Sequence, residues 1–132
     1  MTENVIYKLS KQFALRIIKL YSYLYDQKKE YVISKQLYRS GTSIGANIAE
    51  SIFAQSDADY VHKLKISLKE ASETRYWLEL LYESDQITQE VYDSLINDLK
   101  TIIGTIINII NKIEKQWRNI VFYFFTFLPF YL

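Results

Sequence analysis

The polar residues that could do chemistry in this chain fall in two stretches of helical spacing. In Leu37–Glu50, residues Arg39, Ser43, Asn47 and Glu50 are four, four and three apart, which puts them on one side of a helix. In 59–78, Glu70, Glu73 and Arg75 add two carboxylates and a guanidinium. Glu50 and a glutamate of the second stretch could act as acid and base only if their surroundings split their pKa values. Spacing supplies no such split, and a buried charge demands a partner. The pattern therefore reads as a structural network of salt bridges and hydrogen bonds, with Glu50 and Glu73 facing Arg39 or Arg75.

Other chemistries find little support. The chain has no cysteine, which excludes disulfides and thiolate metal sites. Its one histidine, His62, lacks the second histidine of a zinc-binding helix and reads as a surface residue. Gly41-Thr-Ser-Ile-Gly45 has two glycines but not the Gly-Lys-Ser/Thr ending that cradles phosphates. No catalytic residue, metal or cofactor is expected, and the chain is not read as an enzyme.

A nucleic acid would be met by cations. Lys8, Lys11, Arg16 and Lys19 lie within about 140° of the first helix, a candidate phosphate-binding stripe. Such a stripe on one amphipathic helix is ordinarily a solvated face, and the net charge is only +1. An oligomer would repeat the stripe and multiply its phosphate contacts. Charge is also uneven along the chain: residues 1–31 carry a net +3 and residues 55–87 a net −3. These opposite signs could pair helices within a bundle or pair subunits.

The elements that must position these residues are helices. Three glycines and one proline in 132 residues suit long helices. The first is expected over about Asn4–Lys28, the second over Ser34–Ala54 with Ser34 as N-cap. The third is expected over Asp57–Ser84 with Ser56 as N-cap, and the fourth over Gln89–Trp117 capped by Thr88. Short connections make the neighbours antiparallel, an all-α, up-and-down antiparallel four-helix bundle. Gly41 and Gly45 inside the second helix cost roughly 1 kcal/mol each against Ala, for which close helix packing is the simplest compensation.

Two helices are apolar over nearly half their circumference, wider than the ~100° a bundle helix needs. On the first, Tyr7, Ala14, Ile18, Tyr21 and Tyr25 form a second stripe beside the core one. On the fourth, Ile96, Ile103, Ile107 and Ile110 do the same. Tyr7, Ile18, Tyr21, Tyr25 and these four isoleucines are the expected oligomer interface. The bundle is assigned to residues 1–118 and an apolar, aromatic C-terminal tail to 119–132. That tail holds no charge, and its thirteen residues from Ile120 fall short of the roughly 20 a spanning helix needs. It is expected to be loosely ordered or packed on a partner, in preference to a membrane contact. Met-Thr-Glu-Asn at the start lacks the character of a secretory signal, so a cytoplasmic location is expected.

Arg39-Ser-Gly-Thr-Ser-Ile-Gly-Ala-Asn-Ile-Ala-Glu50 resembles the R-x-x-x-S-I-x-x-N-I-A-E signature of the bacterial four-helix-bundle proteins known as 23S rRNA-intervening-sequence proteins. Asp59 to Leu78 is similar to the same family's F-x-x-K-L-x-I-A-x-K-E-A-x-E-T-x-Y-W-L run. With its flanks the resemblance covers about residues 5–116. It implies a homopentamer and kinship with the accessory protein of diversity-generating retroelements, a basic barrel that binds a reverse transcriptase and nucleic acid. It implies no catalytic residues. Where the family commonly has glycine after the signature glutamate, this chain has Ser51. The function these observations favour is a non-enzymatic oligomeric adaptor that binds RNA, DNA or a nucleic-acid-processing protein. The alternative is a protein–protein module with no nucleic-acid role. No small-molecule substrate is indicated.

Overall fold

Apolar side chains recurring every three or four positions build four helices: α1 (Thr2–Asp26), α2 (Ile33–Ser51), α3 (Asp57–Glu83) and α4 (Gln89–Phe127). The structure is a computed structural model that describes residues 2–127. Connections at 27–32, 52–56 and 84–88 are too short for anything but antiparallel neighbours. Helix α1 packs on α2 and α4, and α3 packs on the same two, while among the described residues the diagonal pairs do not meet. The result is an up-and-down four-helix bundle.

Its core takes Ile6, Phe13, Ile17 and Leu24 from α1, and Leu37, Ile44 and Ile48 from α2. It takes Leu64, Ala71, Leu78 and Leu81 from α3, and Leu95, Leu99, Ile102 and Ile106 from α4. Each fully buried Leu, Ile or Phe contributes roughly 1.5–3 kcal/mol over leaving it in water. Ile52, which continues the four-residue spacing of Ile44 and Ile48, lies just past the helix end and is exposed.

Helix α2 lies closest to its neighbours, and its glycines are the reason on the α1 side. A Cβ at Gly41 would stand 2.9 Å from both Cγ atoms of Ile17, and one at Gly45 would stand 3.3 Å from Ser10 Oγ. Gly104 of α4 has no such role, since a Cβ there meets nothing within 4 Å.

Two of the expected caps form. Ser56 Oγ accepts the Asp59 N–H at 3.1 Å, and Thr88 Oγ1 accepts the Val91 N–H at 3.2 Å. The Ser34 cap does not. Ser34 lies inside α2, fully buried, and the cap is supplied from outside by Glu30. The Glu30 carboxylate accepts the N–H groups of Val32, Ile33 and Ser34 at 3.2, 2.9 and 2.7 Å. Burial raises the Glu30 carboxyl, but the Ile33, Ser34 and Val32 N–H groups outweigh it and hold it below the ordinary carboxylate value. Helix α3 closes with Asp85 in the left-handed region (φ 61°), and the Gln86 N–H reaches back to Leu81 O at 2.8 Å.

Helix α4 does not stop at Trp117. It continues through Phe127, so the part of the expected tail up to that residue is helical. Residues 128–132 lie outside the described residues. Among the described residues, no helix is long and apolar enough to cross a membrane.

Candidate functional site

The expected polar network divides into separate pieces. Arg39 reaches from α2 to α3, bonding Glu73 and standing 3.5 Å from Glu70. The Trp77 indole N–H donates to the same Glu73 oxygen at 3.0 Å. That bond is the chief cause holding the Glu73 carboxyl below its ordinary value; burial opposes it, and Arg39 adds to it. Glu73 in turn raises Arg39. Glu50 pairs instead with Lys63 at 2.9 Å, and its side chain is 60% exposed. Arg75 pairs with Glu79 on its own helix at 3.2 Å, in the open, and takes no part in the network. Ser43 and Asn47 bond carbonyls one turn back, Arg39 O and Ser43 O, and bridge to no other helix. Arg39–Glu73 is therefore the one pairing of the expected kind.

A line of hydroxyls between the same two helices does the inner bonding. Thr74 Oγ1 donates to Ser40 Oγ at 3.0 Å, and Ser67 Oγ donates to Ile44 O at 2.7 Å, all of them buried. Ser10 of α1 is buried too, against Gly45. Their signal in the sequence was a run of small polar residues on apolar stripes, at Ser10, Ser40, Ser67 and Thr74. Nothing in that run says which hydroxyls meet.

The basic stripe on α1 is partly spent. Arg16 donates to Asp98 of α4 at 2.6 Å and to Ser94 Oγ at 2.9 Å, so it fastens two helices. Lys8, Lys11 and Lys19 are exposed, and Lys11 Nζ lies 5.8 Å from the Tyr7 ring centroid. Lys19 and Arg16 edge a cleft of about 670 Å³ between α1 and the α3–α4 turn, floored by Leu20, Val91 and Leu95. His62 is exposed, and no group of acidic or histidine side chains among the described residues has metal-site geometry.

The wide apolar arcs have different fates. On α1, Tyr7, Ile18 and Tyr25 are exposed, joined by Leu15 at 58%. Tyr21 is half-buried, its ring 5.0 Å from Tyr38 of α2 and 5.9 Å from Tyr25. On α4 the expectation fails for two residues. Ile96 and Ile110 are buried in the core of a single chain, because α4 turns both stripes into the bundle. Ile103 is packed against that core, and only Ile107 of the four stays exposed.

The chain, with its signature helix, matches over residues 2–108 a family model described as the 23S rRNA-intervening sequence protein. The chain belongs to that family. A crystal structure at 1.70 Å of a protein of unknown function from the S23 ribosomal protein family of Bacteroides thetaiotaomicron is similar over most of this chain. It is 53% identical, with a TM-score of 0.83 over 84% of this chain and 99% of that one. No curated protein matches.

Within the family match, the signature residues Arg39, Ser43, Asn47 and Glu50 prove to be packing and pairing groups of α2. Ser51, which follows the signature glutamate, is buried and donates to Ile48 O at 2.6 Å. Residues 109–127, including the whole far end of α4, lie outside the family model.

Proposed function

We propose that this member of the intervening-sequence family works by binding, as a self-associating helical adaptor, and that a homopentamer is its assembled form. One observation carries the reading. The outer face of α1 presents Tyr7, Leu15, Ile18 and Tyr25 to solvent while Lys8, Lys11 and Lys19 lie among them. Exposed apolar residues on one helix face, interleaved with lysines, suit a second protein surface. Repeating the neighbouring lysines around a ring gathers cations where an RNA or DNA backbone can use them. Arg16 is left out of that role because Asp98 holds it.

Sedimentation tests the assembly. The native chain is expected to sediment as an oligomer at micromolar concentration, and Leu15→Glu with Ile18→Glu to yield folded monomers. A native monomer overturns the reading. Retention of RNA at low salt, lost when Lys8, Lys11 and Lys19 become Glu, tests the nucleic-acid part. An oligomer that retains no RNA at any salt favours the protein–protein module instead.

A further inference from the structure

Helix α4 runs on beyond the bundle, and its far end has a different character. Ile113 is the last side chain packed on the core, and Glu114 pairs with Lys65 of α3 at 3.1 Å. Past that point Trp117, Ile120, Val121, Phe122 and Tyr123 each leave between 47% and 66% of their surface exposed. At roughly 100° per residue these five point in every direction around the helix. A single partner helix covers a stripe of about 100°, so a tip apolar all round suits a medium that surrounds it.

Charge indicates which medium. Lys112, Lys115 and Arg118, all exposed, lie within about 120° of one another on α4, just before the tip. None of them joins an ion pair among the described residues. From Asn119 to Leu132 there is no charged residue. Two such tips packed side by side would bring two trios of cations together, whereas an anionic surface neutralises them. The described apolar stretch, Ile120–Phe127, is about 12 Å of helix, a depth that enters one leaflet and does not cross.

We propose that the end of α4 is an interfacial anchor. Its aromatic and aliphatic tip enters the headgroup–acyl boundary of a bilayer containing anionic lipid, and Lys112, Lys115 and Arg118 sit on the headgroups. The anchor lies outside the residues shared with the family model and is independent of the adaptor reading.

The test is flotation of the full chain with vesicles of phosphatidylcholine, with and without phosphatidylglycerol. Flotation is expected with the anionic vesicles and far less with the neutral ones. Lys112→Gln, Lys115→Gln and Arg118→Gln together should weaken it about a hundredfold, about fivefold for each charge. Val121→Ser with Phe122→Ser should abolish it while helical content and sedimentation stay as in the native chain. Trp117 fluorescence should shift to the blue on anionic vesicles, a change missing in Trp117→Phe. No flotation with either vesicle overturns the proposal, as does binding indifferent to phosphatidylglycerol and to the glutamine changes. So does a serine variant that loses self-association and keeps its vesicle binding, since the tips would then be meeting each other.

Discussion

The α2 seam and helix α4 bury comparable apolar side chains by opposite means. Along α2 the backbones come close, with glycines against α1 and buried α3 hydroxyls bonding the Ser40 hydroxyl and the Ile44 carbonyl in the little space left. Along α4 no such line of buried hydroxyls exists among the described residues, and a double row of isoleucines fills the space. A close seam fixes register, because each buried hydroxyl must find its partner and each absent Cβ leaves a gap of one shape. A row of isoleucines specifies the pairing less sharply and tolerates substitution better. The difference teaches which residues set the register: the close seam is made by Ser40, Gly41 and Gly45, at open positions of the family signature, while the signature's Ile44 and Ile48 supply the core.

The most severe way to break this contrast is to enlarge the seam. Gly41→Leu drives a side chain into Ile17, whose Cγ atoms already stand 2.9 Å from an ideal Cβ. A loss of about 3 kcal/mol is expected, read by urea denaturation at an unchanged slope. Should the variant prove as stable as the native chain, the seam is not close-packed.

Next in size is the hydroxyl pair. Thr74→Val keeps the shape of the side chain and removes its bond to Ser40 Oγ. It should cost about 1–1.5 kcal/mol. A double-mutant cycle with Ser40→Ala should show a coupling near 1 kcal/mol, and strictly additive losses would show that the two hydroxyls do not act together.

Gly104 offers the reverse on α4. With nothing within 4 Å of its missing Cβ, Gly104→Ala has only the helix propensity to gain. Stability should rise by about 1 kcal/mol, seen as a higher Tm. A fall in Tm accompanied by dissociation would mean that a second copy closes on this glycine.

These contrasts separate what was legible in the residues from what was not. Helix number, the order of the bundle and the Ser56 and Thr88 caps were readable because periodicity and capping are local. Ser34 misled because the helix starts earlier and its cap comes from Glu30, two to four residues upstream across a turn with Lys29 at φ 55°, and a glutamate side chain folding onto the helix start is not an ordinary N-cap signal. The apolar arc of α4 was readable as an arc, but a wheel does not say where the neighbours sit. Ile96 and Ile110 therefore went to the outside on paper and to the core in the fold. Leu15 was overlooked because it stands between Lys11 and Lys19, in an arc read as polar. Arg16 was counted as a free cation because Asp98 lies 82 positions away.

The smallest effect concerns the only ionic pairing of the expected kind. Arg39 is half exposed, so its bond to Glu73 competes with water and is screened by salt. Arg39→Gln should cost only about 0.5 kcal/mol at neutral pH, less than the neutral Thr74→Val in the interior. The pH dependence has a definite sign. Glu73 titrates lower in the fold than in the open chain, so its pairing stabilises above the ordinary carboxylate range and is lost as pH falls through the folded value. The gap between the native chain and Arg39→Gln should therefore close in acid, with Thr74→Val keeping its full cost there. A larger loss for Arg39→Gln than for Thr74→Val would reverse the order. The charged outer edge of the α2–α3 seam, and not its hydroxyl interior, would then hold the two helices in register.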